Sequence, residues 1–170
     1  NVAVGHDALR NYTGNENVAI GLQALLTATT GYSNVAVGYQ ANRLLTTGDS
    51  NTSVGYKAME STTTGTNNAA VGHQALKANT TYSNHTAVGL QALENCATGQ
   101  ENSAFGSNAM GTMTSGNYND AFGRDALGTG TGYSQCCAFG NSALKVNTGD
   151  NNTAFGFVAL GANTTGVENT

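Results

Sequence analysis

The sequence predicts an all-β protein, a parallel β-solenoid of about ten coils of 16 or 17 residues each, running through residues 1–170 as one tandem-repeat domain. Three observations predict it: a glycine that returns at that period, a strand-forming segment around each of those glycines, and a composition unlike that of a mixed globular domain.

The recurring glycines are Gly5, Gly21, Gly38, Gly55, Gly72, Gly89, Gly106, Gly123, Gly140 and Gly156, and every other column can be read against them. Three residues later Ala stands in every copy: Ala8, Ala24, Ala41, Ala58, Ala75, Ala92, Ala109, Ala126, Ala143 and Ala159. Leu or Met comes next in nine copies, as at Leu9, Leu25, Met59 and Leu160, with Asn42 the polar exception. Immediately before the glycine lies a bulky apolar column that changes type along the chain. Val4, Ile20, Val37, Val54, Val71 and Val88 give way to Phe105, Phe122, Phe139 and Phe155. Four residues before the glycine Asn stands in eight copies, replaced by His85 and Cys136 in the other two. Eight residues after it Thr stands in nine, with Ala97 the exception.

A period of 17 residues is too short for a helix-turn-helix repeat, and Ala-Val-Gly or Ala-Phe-Gly flanked by Thr and Asn favours strands. The pattern predicts one strand over the Asn-x-Ala-x-Gly segment and a second around Ala-Leu. A turn is expected at Thr-Thr-Gly, with the glycine supplying a positive φ. At a rung spacing of about 4.8 Å, ten coils make a rod roughly 48 Å long, in which Asn and Thr columns hydrogen-bond from rung to rung.

Composition excludes several classes. Charged residues make up 9% of the chain, Pro and Trp are absent, and there are 23 Gly. With 39% hydrophobic residues and a net charge of -4, the chain does not fit the disordered class. Six scattered Lys and Arg offer no basic stripe for nucleic acid. No run of eighteen apolar residues calls for membrane insertion. The chain opens on a repeat at Asn1 and closes on Asn169 and Thr170, the start of an eleventh copy, so it reads as a segment of a longer array.

Strand neighbours point to opposite faces, yet both Ala19 and Ile20 are apolar, and so are Ala24 and Leu25. A lone solenoid would expose a ladder of Val, Phe and Leu along its length, and a patch of that size marks an interface. The small Ala column suits a thin interior, while the Val, Phe and Leu columns suit packing between chains. Parity alone does not assign which column lines which side. The expected partner is the chain itself, in a parallel homo-oligomer with the pre-glycine column from Val4 to Phe155 as interface. Three copies are favoured because three flat-sided rods close around an axis without an exposed edge.

Segments such as Asn51-Thr52-Ser53-Val54-Gly55, His85-Thr86-Ala87-Val88-Gly89-Leu90-Gln91-Ala92-Leu93 and Asn152-Thr153-Ala154-Phe155-Gly156 carry a resemblance. The chain resembles, over its whole length, the Asn-Thr-Ala-x-Gly-x-x-Ala-Leu arrays of phage tail fibres, often found ahead of an endosialidase-type intramolecular chaperone domain. It is also similar to the β-roll head repeats of trimeric autotransporter adhesins. The resemblance implies a homotrimeric, extracellular, cell-surface or virion-borne fibre that serves attachment, each chain a left-handed parallel β-roll. Contacts to cell-surface glycans or receptors would lie in other regions.

No residue set reads as an active centre or a cofactor site, so the pattern argues for a structural protein and against an enzyme. His6 and His73 share a column but lie four coils apart, roughly 19 Å at the usual spacing. They could hold an ion only where copies met on an axis. Cys96 is about three coils from Cys136 and Cys137, beyond disulfide reach, which leaves an interchain bond at the pair as the alternative to sporadic substitution. Asp7, Asp120 and Asp125 lack the partners a catalytic carboxylate needs, and a regular rod offers no cleft. Six Asn-x-Ser/Thr triplets, at Asn11, Asn51, Asn79, Asn84, Asn151 and Asn163, match glycan acceptors, a pattern an Asn- and Thr-rich repeat also generates by chance. Tyr39, Tyr56, Tyr82, Tyr118 and Tyr133 are read as exposed aromatics open to sugar contact or to structural roles. Two other functions compete with the shaft: a filament extended end to end, and an ice-binding solenoid. Adjacent threonines such as Thr29 and Thr30 speak against the latter, because neighbours do not project from one flat face.

Overall fold

The computed structural model describes residues 1–27 and 29–170. Among them there is no helix. Ten three-residue strands recur once per coil: β1 Val2–Val4, β2 Val18–Ile20, β3 Val35–Val37, β4 Thr52–Val54, β5 Ala69–Val71, β6 Thr86–Val88, β7 Ser103–Phe105, β8 Asp120–Phe122, β9 Cys137–Phe139 and β10 Thr153–Phe155. They form one ten-stranded sheet in chain order, each pair parallel and in like-for-like register, so Ala19 lies on Ala36 and Phe122 on Phe139. The chain is a β-solenoid of about nine turns.

Strand parity places the residue at each strand centre inward, Ala in nine strands and Ser53 in β4. Ala19, Ala36, Ala70, Ala87, Ala104, Ala121 and Ala138 have no exposed surface. The flanking strand residues face outward, as at Val35 and Val37, both half-buried.

The Ala-Leu segment corrects the expectation of a second strand. It is a corner, in which the residues two and four after the glycine adopt left-handed backbone, as at Gln23 (φ 58°) and Leu25 (φ 49°). With alternate residues at positive φ, strand parity no longer holds, and Ala24 and Leu25 both turn inward with no exposed surface. The Leu and Met column therefore lines the interior, where it could not pack between chains. Non-glycine residues in this region cost roughly 1–2 kcal/mol each, which burial of a Leu side chain offsets by about 1.5–3 kcal/mol. After the Thr-Gly turn a positive φ falls on the non-glycine residue immediately before the Asn, such as Ser33 (φ 55°) and Ser50 (φ 56°) ahead of Asn34 and Asn51, while the turn glycines Gly99 (φ 111°) and Gly116 (φ 127°) take the expected positive φ. Most of the turn glycines serve close approach instead: a Cβ on Gly31 would sit 2.3 Å from the Gly48 carbonyl oxygen.

The Asn column forms the expected ladder inside the rod. Each amide oxygen accepts the next Asn backbone N–H, as at Asn34 to Asn51 (2.9 Å), and each side-chain amide donates to the turn carbonyl one coil on, as from Asn51 to Gly65 (2.8 Å). Asn169 adds the next rung, its N–H donating to Asn152 Oδ1 at 3.0 Å. The Thr column builds a second ladder, with the Thr46 and Thr63 hydroxyls donating to the Thr63 and Thr80 carbonyls at 2.9 and 3.1 Å.

One interior column varies in size and is filled locally. It holds Leu45, Thr62, Asn79, Cys96 and Met113, all fully buried, and then Gly130. Tyr133 occupies the space beside Gly130: its ring lies 2.6 Å from where a Gly130 Cβ would stand, and its hydroxyl donates to the Leu127 carbonyl at 2.8 Å. Asn42 is the poor fit. It replaces Leu in the interior corner column, has no exposed surface, and neither Nδ2 nor Oδ1 finds a hydrogen-bond partner. Asn42→Leu is therefore expected to stabilise the chain by about 1–3 kcal/mol, the cost of leaving buried polar groups unpaired. A rise in the urea midpoint would register it; a fall would mean that Leu45 already fills the space.

Candidate interaction face

The residue after each glycine continues strand parity and faces outward, so three columns run side by side along one flank. They are the first strand residue, the pre-glycine residue and the post-glycine residue. The middle column is the predicted interface. Val4, Ile20 and Val71 are 56, 39 and 41% exposed, while Val37, Val54, Val88, Phe105, Phe122 and Phe139 are half-buried against one another. Phe105, Phe122 and Phe139 stack face to face, with centroids 4.8 and 4.5 Å apart, and Phe155 ends the stack at 5.9 Å.

The post-glycine column extends this apolar flank in the N-terminal half through Leu22, Tyr39, Tyr56, His73 and Leu90. Tyr39 stacks on Tyr56 at 5.2 Å, and Tyr56 on His73 at 4.8 Å. Bulk changes sides along the rod. Beside Val37, Val54 and Val71 the post-glycine column is aromatic, and beside Phe105, Phe122 and Phe139 it carries Ser107, Arg124 and Asn141, while the last coil has bulk in both columns, at Phe155 and Phe157. The post-glycine residues were not among the predicted interface positions, although counting parity through the glycine would have found them.

The chemistry-bearing residues stay apart. Among the described residues no three His, Cys, Asp or Glu side chains form a metal-binding group. His6 pairs with its neighbour Asp7 at 3.3 Å, and His73 belongs to the aromatic stack. Cys96 and Cys136 are buried free thiols, and Cys137 is a half-buried free thiol on the outer flank. Burial pushes the Cys96 thiol up to about 12, and burial likewise raises Cys136. Asp125 pairs loosely with Lys145 and Arg124, at 3.6 and 3.7 Å. A recess of about 250 Å³ opens where Gly111 and Gly128 replace the long side chains of their column, between Glu94 and Lys145.

Of the Asn-x-Ser/Thr triplets, Asn51 and Asn79 are fully buried with their amides engaged, so they are closed to a glycan. Asn11, Asn84 and Asn151 are exposed. The expectation of five exposed tyrosines is corrected at Tyr133, which is fully buried, and at Tyr82, which is half-buried. The threonine hydroxyls of the second ladder are spent on backbone carbonyls. Among the described residues no helix is long and apolar enough to cross a membrane.

The fold and its flank define the chain as a tandem-repeat β-solenoid with an apolar outer face. No protein-family model, curated protein or solved structure matches it.

Proposed function

We propose that this chain is one protomer of a parallel homotrimeric fibre, a shaft or adhesin segment that is extracellular or virion-borne and serves attachment. The observation that carries this reading is the outward apolar ridge from Val4 to Phe155. The interior is already filled by the Ala, Leu, Met and Asn columns, so within one chain the ridge packs only rung on rung and its outer side is left uncovered. An apolar strip along a whole rod favours burial against a partner. Three rods close such a strip around an axis, and the left-handed winding follows the resemblance to fibre and adhesin repeats.

Sedimentation or native mass spectrometry of the chain at micromolar concentration is expected to give a trimer. Val71→Lys places a charge in the buried strip and is expected to weaken each interface by about 3 kcal/mol or more, giving monomers with an unchanged far-UV spectrum. A monomeric wild-type chain would overturn the reading.

A further inference from the structure

The outer flank carries very little charge, and its placement is informative. Asp120 is the one charged residue of the strand-entry column, and Arg124 is the one Lys, Arg, Asp or Glu of the post-glycine column. Both belong to the β8 coil, on either side of Phe122. Asp120 is exposed and makes no ion pair among the described residues. Arg124 is 64% exposed and reaches only Asp125, loosely, at 3.7 Å.

We infer that the flank is covered by a second copy of this chain, parallel and in coil-for-coil register, with Asp120 of one copy paired to Arg124 of the next. The inference rests on the parallel self-assembly reading above and adds the register, the flanks that meet and the residues that pair across them. Rods related by rotation about an axis parallel to their length bring the strand-entry flank of one against the post-glycine flank of the other at the same level. That arrangement sets Asp120 opposite Arg124. It also sets Val18 opposite Leu22, Ser103 opposite Ser107, and the small Ala69 opposite the large His73, so polarity and bulk agree at each of these levels.

The alternatives strand both charges. Antiparallel rods bring like columns together, and the post-glycine column holds no acid for Arg124 while the strand-entry column holds no base for Asp120. A shift by one coil sets Arg124 opposite Ser103 or Cys137. Two charges would then lose water without gaining a partner, whereas the paired arrangement lets each offset the desolvation of the other.

Charge reversal in the full chain tests the pairing. Asp120→Arg alone sets like charges together at every interface and is expected to lower the association constant about a hundredfold. Adding Arg124→Asp restores an opposite pair and is expected to recover most of that loss. Both side chains point away from the core, so far-UV spectra should not change. Register is read separately with Asn141→Cys, which lies at the level of Cys137. Oxidation is expected to link neighbouring copies through Cys137 on a non-reducing gel, with Cys96 and Cys136 shielded in the core. Association of the wild type with no recovery in the double reversal, or with no link through Asn141→Cys, overturns the register while leaving self-assembly standing. A monomeric wild type overturns both.

Discussion

Gly72→Ala is expected to unfold the middle of the rod, with a loss of about 4 kcal/mol or more. Gly72 has φ 144°, a conformation side chains rarely adopt, and a Cβ there would lie 2.2 Å from the carbonyl oxygen of Gly89 and 2.6 Å from its carbon. Both obstacles are backbone of the next rung, so no rotamer change relieves them. Relief would require the rung to move away, breaking register with β6. Because stability in a repeat array depends on neighbour contacts, the damage should divide the chain into two independently melting halves. Gly111→Ala is the matched control. Its backbone is not in the positive-φ set, and its nearest would-be contact is 3.3 Å, so a change of no more than about 1 kcal/mol is expected. Urea unfolding of the two variants checks the contrast, and equal midpoints would contradict it.

His85 is expected to make stability depend on pH in a window where the other rungs are silent. It stands in the Asn ladder with no exposed surface. Its backbone N–H donates to Asn68 Oδ1 at 2.9 Å, its Nδ1 accepts from the Asn102 N–H at 3.4 Å, and its Nε2 meets the Gly99 carbonyl at 3.0 Å. These contacts fit a neutral ring with its proton on Nε2, so Nδ1 replaces an amide oxygen and Nε2–H an amide nitrogen. Burial holds its pKa down at about 4, and the Gly99 carbonyl, which accepts from Nε2–H, offsets this only in part. Since the unfolded chain protonates near 6.5, it binds the extra proton between these values. The stability is complete above about pH 6.5, is lost as pH falls toward about 4, and levels off below, a total of about 3 kcal/mol. His85→Asn restores the repeat residue and should remove this component, leaving the slope due to carboxylates. Denaturation at pH 7.5, 5.5 and 4 for both chains isolates the difference, and an imidazole titrating near 6.5 in the folded protein would refute the assignment.

The columns were legible because strand parity and rung repetition are written directly in a periodic sequence. The strand at Ala19, the Asn ladder through Asn34 and Asn51, and the Thr ladder through Thr46 and Thr63 all follow from it. The corner at Ala24 and Leu25 was not legible in this way. Its left-handed residues include Gln23 and Leu25, types with no marked preference for positive φ, and the conformation is held by cross-coil bonds such as Leu25 N–H to the Ala41 carbonyl at 3.2 Å. Tyr133 was misplaced for a related reason, since its burial depends on the space left by Gly130.

The sequence by itself determined the repeat, the parallel stacking and the excess of apolar columns, since each follows from the spacing of residue types along one chain. Only the tertiary structure decided how those columns divide. Alternating backbone handedness at the corner turns Leu and Met inward beside Ala and leaves the Val and Phe ridge facing out, because a three-residue strand keeps its parity and the corner does not.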